Sequence, residues 1–111
     1  MPYVPTFDGL ERAPAPAEVR CPACGARIRF DLWDAVDRGR PGWRLSDAEV
    51  HAHALTRRAE RGFTVTLAAP DGPAAHLVAL TCPGCGATTD VPVGLGEFQP
   101  CRWVGGVVTG P

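Results

Sequence analysis

The chain has 111 residues, 45% of them apolar, and a formal net charge of −1 at neutral pH. That length holds one domain with a modest core, small enough to gain from a metal staple, and three Trp and four Phe exclude a disordered chain. All 11 basic residues are Arg and 12 acidic residues balance them, so no net positive field favours nonspecific nucleic-acid binding.

Residues 1–18 are rich in proline, including Ala13-Pro14-Ala15-Pro16, and show no usable period. They are expected to form a flexible, extended arm with polyproline character, and residues 19–111 a single domain. Tyr3, Val4, Phe7 and Leu10 offer this arm a means of resting on a surface. Met1-Pro2-Tyr3-Val4-Pro5 has neither the basic start nor the apolar stretch of a secretory leader. No apolar run approaches the ~18 residues of a membrane span. A cytoplasmic protein without membrane partners is expected.

Cys21-Pro22-Ala23-Cys24-Gly25 is the first of two matching motifs; Cys82-Pro83-Gly84-Cys85-Gly86 is the second. Each is a Cys-x-x-Cys turn in which Pro fixes φ where no N–H is needed. Gly after the second Cys permits the positive φ that closes the turn. Together they supply four thiolates, the complement of a tetrahedral Zn²⁺ site. A redox dithiol is the rival reading. It requires an activated thiol at a helix N-terminus, and Gly directly after each pair starts a helix poorly. In a reducing compartment such pairs are metal sites more often than disulfides. Structural Cys₄ sites favour zinc, with iron the alternative.

Between the motifs, Ile28, Phe30 and Leu32 alternate with Arg27, Arg29 and Asp31, which predicts a half-buried strand over Ala26 to Trp33. Residues 34–44 hold two glycines and a proline and read as a loop that opens with a helical turn. Ser46 and Glu49 form a capping box, with Leu45 and Val50 as its hydrophobic staple. Ala48, Ala52, Leu55 and Ala59 continue this as an apolar helical stripe, and Gly62 is placed to end it. Phe63 to Leu67 alternates as a strand, and His76 to Thr81 is expected to pair with it as a hairpin. Thr88 to Leu95 reads as a further strand, at an edge because of Pro92. Residues Cys101 to Val108 can add a last short one.

The paired turns resemble zinc-ribbon and rubredoxin-like knuckles. The layout of knuckle, strand, helix-bearing insert, strand and knuckle is similar to an uncharacterised bacterial family with paired Cys-Pro-x-Cys motifs. The resemblance spans residues 21 to 95 in layout and is specific at the ten knuckle residues. It implies that Cys21, Cys24, Cys82 and Cys85 are metal ligands, and it implies no activity. The expected fold is therefore α+β, a small antiparallel sheet with a Cys₄ zinc-ribbon site and one helix in the insert between the knuckles. With 57 residues between Cys24 and Cys82, the insert is far longer than in rubredoxins.

Other residues carry weaker signals. Cys101 reads as a small buried or bystander thiol. His51 and His53 point to nearly opposite sides of a helix and cannot readily share an ion, and His76 has no visible partner. Arg27, Arg29, Arg38, Arg40 and Arg44 interleave with Trp33 and Trp43, a composition suited to a protein interface or to single-stranded nucleic acid. Asp31, Asp34 and Asp37 dilute that charge. No acid/base or nucleophile constellation stands out. The sequence thus predicts a noncatalytic, zinc-stabilised adaptor for a protein partner. A nucleic-acid-binding zinc ribbon and a rubredoxin-like electron carrier or metal-delivery accessory are the alternatives.

Overall fold

A computed structural model describes residues 2–109. Its centre is a five-stranded antiparallel sheet in the order β1-β9-β8-β7-β4. The strands are β1 (Tyr3–Leu10), β9 (Arg102–Val108), β8 (Thr88–Gln99), β7 (Ala75–Thr81) and the two-residue β4 (Arg40–Pro41). Two hairpins complete the β structure, β2 (Pro16–Arg20) with β3 (Arg27–Asp31), and β5 (Thr56–Glu60) with β6 (Phe63–Leu67). Two short helices, α1 (Leu32–Arg38) and α2 (Asp47–Ala52), lie in the region between the knuckles. No helix among the described residues is long and apolar enough to cross a membrane.

The two faces of the sheet carry separate cores. On one, Val78, Leu80, Val91, Val93, Leu95 and Val107 pack against Ile28 of β3 and Leu32, Trp33 and Ala35 of α1. Leu32 is fully buried. On the other, Ala75, Leu77 and Val108 meet Leu45, Val50 and Leu55 around α2. Successive residues of a strand point to opposite faces, so β7 serves both layers by presenting Ala75 and Leu77 to one and Val78 and Leu80 to the other.

The proline-rich segment expected as a free arm is built into the fold instead. Residues Tyr3 to Leu10 pair with β9, with a register irregularity between Pro5 and Phe7 that absorbs the proline on an edge strand. Residues 13–15 are then clasped by the start of α1. Asp31 caps that helix by accepting from Trp33 N (2.9 Å) and also accepts from Ala15 N (2.8 Å). Leu32 N donates to Ala15 O (2.9 Å), and Trp33 Nε1 donates to Ala13 O (2.9 Å). Trp33 packs edge-on against Trp103 and Phe7, with ring centroids 5.1 and 6.2 Å away. A single helix terminus thus satisfies Ala13 O and both backbone groups of Ala15.

The predicted capping box forms as written, Ser46 Oγ accepting from Glu49 N and Glu49 Oε1 accepting from Ser46 N. The helix is shorter than its apolar stripe suggested, because Ala48 and Ala52 are exposed and only Leu55 of that stripe is buried. Ala54 takes a positive φ of 56°, and the chain enters β5. Gly62 ends no helix; with Arg61 it makes the two-residue turn between β5 and β6, with φ values of 87° and 47°. That pattern is the primed turn whose twist suits a tight hairpin. Arg57 secures the hairpin by donating to Leu45 O, Asp47 and Thr66 Oγ1.

Two further expectations change. β6 pairs with β5, and its link toward β7 is a single bridge between Leu67 and Ala74. β7 pairs with β8 instead. β8 is an interior strand, yet Pro92 sits one residue before its pairing with β9 begins at Val93. There β8 has a neighbour on one side only, which is where a strand tolerates a missing N–H. Likewise, the predicted Ala26 to Trp33 strand ends at Asp31, where the Asp side chain caps α1.

Candidate metal centre

Each knuckle is the tip of a hairpin. Cys21 to Ala26 joins β2 to β3, and Cys82 to Ala87 joins β7 to β8, both flanked by directly paired residues, Arg20 with Arg27 and Thr81 with Thr88. The two turns repeat one hydrogen-bond pattern. Cys21 N donates to Ala26 O (2.8 Å) and Gly25 N to Cys21 O (2.8 Å). Cys82 N donates to Ala87 O (2.8 Å) and Gly86 N to Cys82 O (2.9 Å). Gly25 and Gly86 hold φ values of 77° and 76°, a region in which a Cβ is costly. The Gly that closes each motif is therefore demanded by the turn itself.

The turns face one another and bring together the four sulfurs the sequence nominated. All four Sγ atoms lie within 4.8 Å of one another. Cys21 and Cys85 are 3.7 Å apart, and Cys24 and Cys82 are 3.6 Å apart. A disulfide would require ~2.05 Å. A tetrahedron with metal–sulfur bonds of ~2.3 Å has edges of ~3.8 Å, so both cross-turn distances fit ligands of one ion. The donor set is chemically uniform, four sulfurs with no oxygen or imidazole among them.

Burial is unequal. Cys21 and Cys82, the first of each pair, are 3% and 1% exposed and belong to the core, whereas Cys24 and Cys85 reach solvent. The Cys24 and Ala23 amides lower the Cys21 thiol to about 7, assisted by the neighbouring sulfurs and opposed by burial. At Cys24 the Ala26 amide pulls the pKa down, but the Cys82 and Cys85 sulfurs and burial push it up to about 12. The electrostatic meaning is direct: four sulfurs this close cannot all ionise beside one another, and a bound cation removes that repulsion. Gly84 N also donates to Cys82 Sγ (3.4 Å).

The four cysteines bring the tip of the β2–β3 hairpin against the end of the central sheet, so two separate sheets meet at the site. No protein-family model, curated sequence or solved structure matches the chain. The geometry of the four cysteines therefore stands on its own.

The remaining candidates disperse. Cys101 is exposed, which fits the bystander reading and not the buried one, and occupies the turn between β8 and β9 with φ 65°. Its N–H donates to Glu97 Oε2 (3.2 Å). His51 is exposed on α2, and His53 lies just past its end. His76 is half-buried on β7; burial holds its pKa below the usual value, opposed by a hydrogen bond to the Ala74 backbone.

The arginine cluster is also divided. Arg27 and Arg29 flank Glu18, Arg38 pairs with Asp34, and Arg40 pairs with Glu49. Trp33 is buried, and Trp43 alone of the two interleaved tryptophans faces solvent. Sequence reasoning missed a different surface: Trp43 and Phe63 are 77% and 59% exposed and line one groove of about 590 Å³.

Proposed function

We propose that this chain is a noncatalytic, zinc-stabilised adaptor that docks onto a larger protein assembly in a reducing, cytoplasmic setting. The observation that carries the reading is the closed set of four mutually adjacent sulfurs. Four protein ligands fill a tetrahedral site and leave no position for substrate or an activated water, which is the signature of a structural site. The uniform sulfur set favours zinc, and iron is the alternative ion. The matched Cys-Pro-x-Cys-Gly turns support a zinc-ribbon kinship, here with a folded insert that contains two helices and the β5–β6 hairpin. Exposed Trp43 and Phe63 support a protein-binding role, since aromatic residues are favoured anchors of interfaces.

The nucleic-acid alternative loses support because Arg27, Arg29, Arg38 and Arg40 each face a carboxylate and offer phosphates little free charge. Native size fractionation with metal analysis tests the proposal. The expected result is colourless protein with one zinc per chain, eluting with a defined partner well above 11.7 kDa. Elution as a lone monomer under all native conditions contradicts the adaptor role, and a coloured iron form would favour the electron carrier.

A further inference from the structure

β6 and β7 diverge from the single bridge at Leu67 and Ala74. Beyond it, β6 is paired along one edge by β5, while its other edge faces the groove that holds Trp43. The opposite wall is β7 with β4, where Pro41 pairs with His76. A single 3₁₀ turn, Gly42–Arg44, follows β4 and sets Trp43 at the mouth. Gly42 makes this placement feasible: a Cβ there would stand 2.6 Å from Thr66 Cβ.

The open edge has a defined polarity. A two-residue loop makes Glu60 and Phe63 a hydrogen-bonded pair, so the next residue, Thr64, turns its N–H and C=O away from β5. These groups face the groove. An unpaired edge of this kind is a template for another extended chain. The walls supply apolar contact through Trp43, Phe63 and Val65.

Charge identifies the kind of chain. Among the described residues, eight arginines lie within 4.0 Å of a carboxylate, and Arg20, Arg44 and Arg61 do not. Arg20 donates instead to Gly25 O. The other two adjoin its aromatic residues: the Arg44 guanidinium lies 5.7 Å from the Trp43 ring centroid, and Arg61 is at the hairpin turn two residues before Phe63. Glu60, the nearest acidic neighbour in sequence, is held by Arg58 at 3.1 Å. The aromatic rim thus carries positive charge without local compensation.

We infer that the groove between β6 and β7 takes an acidic, extended segment of a partner protein, added as a strand along β6 with its carboxylates toward Arg44 and Arg61. The inference rests on the adaptor reading and names the surface that reading requires. A strand is favoured over single-stranded nucleic acid because the groove offers backbone donors and acceptors at Thr64, which a base-stacking platform does not use.

The test uses the zinc-loaded full chain and three fluorescein-labelled probes: a short peptide of alternating Glu and Val, its Lys and Val counterpart, and a short oligothymidylate. Binding is read by fluorescence anisotropy, and amide shifts are followed by NMR. The acidic peptide should bind saturably, shift the Thr64 amide, and bind about tenfold more weakly to Trp43→Ala. Combined Arg44→Ala and Arg61→Ala should abolish discrimination between the acidic and basic peptides. Thr64→Pro removes the outward N–H while sparing the bonds to β5, and should weaken the acidic peptide with the thermal midpoint retained. Equal binding of both peptides, no shift at Thr64, or tighter binding of oligothymidylate would each overturn the inference. Native fractionation separates the two claims: a partner retained by the Trp43→Ala, Arg44→Ala, Arg61→Ala variant preserves the adaptor role and removes this groove as its site.

Discussion

Removing the metal is the perturbation that bears most on the fold. The ion would tie the β2–β3 hairpin to the β7–β8 hairpin across the 57 residues between Cys24 and Cys82. Treated as a cross-link, a loop of that length constrains the unfolded chain by ~4 kcal/mol. Residual zinc affinity of the unfolded Cys-x-x-Cys pairs subtracts from this. For 111 residues each kcal/mol shifts the melting temperature by ~4 °C, so the zinc-loaded chain should melt about 15 °C above the stripped chain. The pairing of β1, β9, β8 and β7 does not involve the ion, so the stripped form should retain a cooperative transition. Differential scanning calorimetry at neutral pH, with metal content measured on the same samples, supplies the readout. Cys85→Ser leaves three sulfurs and should fall between the two forms, whereas exposed Cys101→Ser should melt with the parent. A difference under about 3 °C, less than one kcal/mol by the same conversion, would refute the staple argument.

Other perturbations probe the frame around the centre. Leu32→Ala empties a fully buried position between α1 and the sheet, and urea titration should show a loss of about 2–5 kcal/mol. Asp31→Ala removes both the α1 cap and the acceptor for Ala15 N; about 1–3 kcal/mol should be lost, with faster hydrogen exchange at Ala15. Glu49 is held down to about 2 by its hydrogen bond to Arg40, the Ser46 amide and the Arg40 charge. A carboxyl depressed on folding stabilises above its unfolded pKa, near 4.5, and loses that contribution as pH falls through the folded value. The advantage of the parent over Glu49→Gln should therefore be constant from neutral pH to about 5 and shrink toward pH 2, followed by urea titration with the ion removed from both proteins.

Signals confined to a few adjacent residues were the legible ones. The knuckles could be read because Pro and Gly encode each turn locally, and the Ser46–Glu49 box because both hydrogen bonds close within three residues. The convergence of the cysteines followed from their chemistry, with no need of the topology between them. The far end of α2 was hidden because alanines at helical spacing satisfy periodicity while burying little area. Gly62, which sits in the β5–β6 turn, was equally compatible with a helix terminus.

β1 was obscured for a different reason. Its partner β9 lies at the other end of the chain, and prolines mask its strand character. The clasp of Ala13 and Ala15 by α1 depends on Asp31 and Trp33 meeting a segment with no pattern of its own. The Trp43 groove likewise required the spatial divergence of β6 from β7, and neither segment announces it alone.

The most direct measurement of the central claim is X-ray absorption at the metal edge of protein purified without added metal. The account expects one zinc with four sulfur neighbours at about 2.3 Å, lost stepwise as Cys21, Cys24, Cys82 and Cys85 are replaced. A metal shell with nitrogen or oxygen in place of sulfur, or chain that carries no metal and joins these cysteines as disulfides, would contradict it.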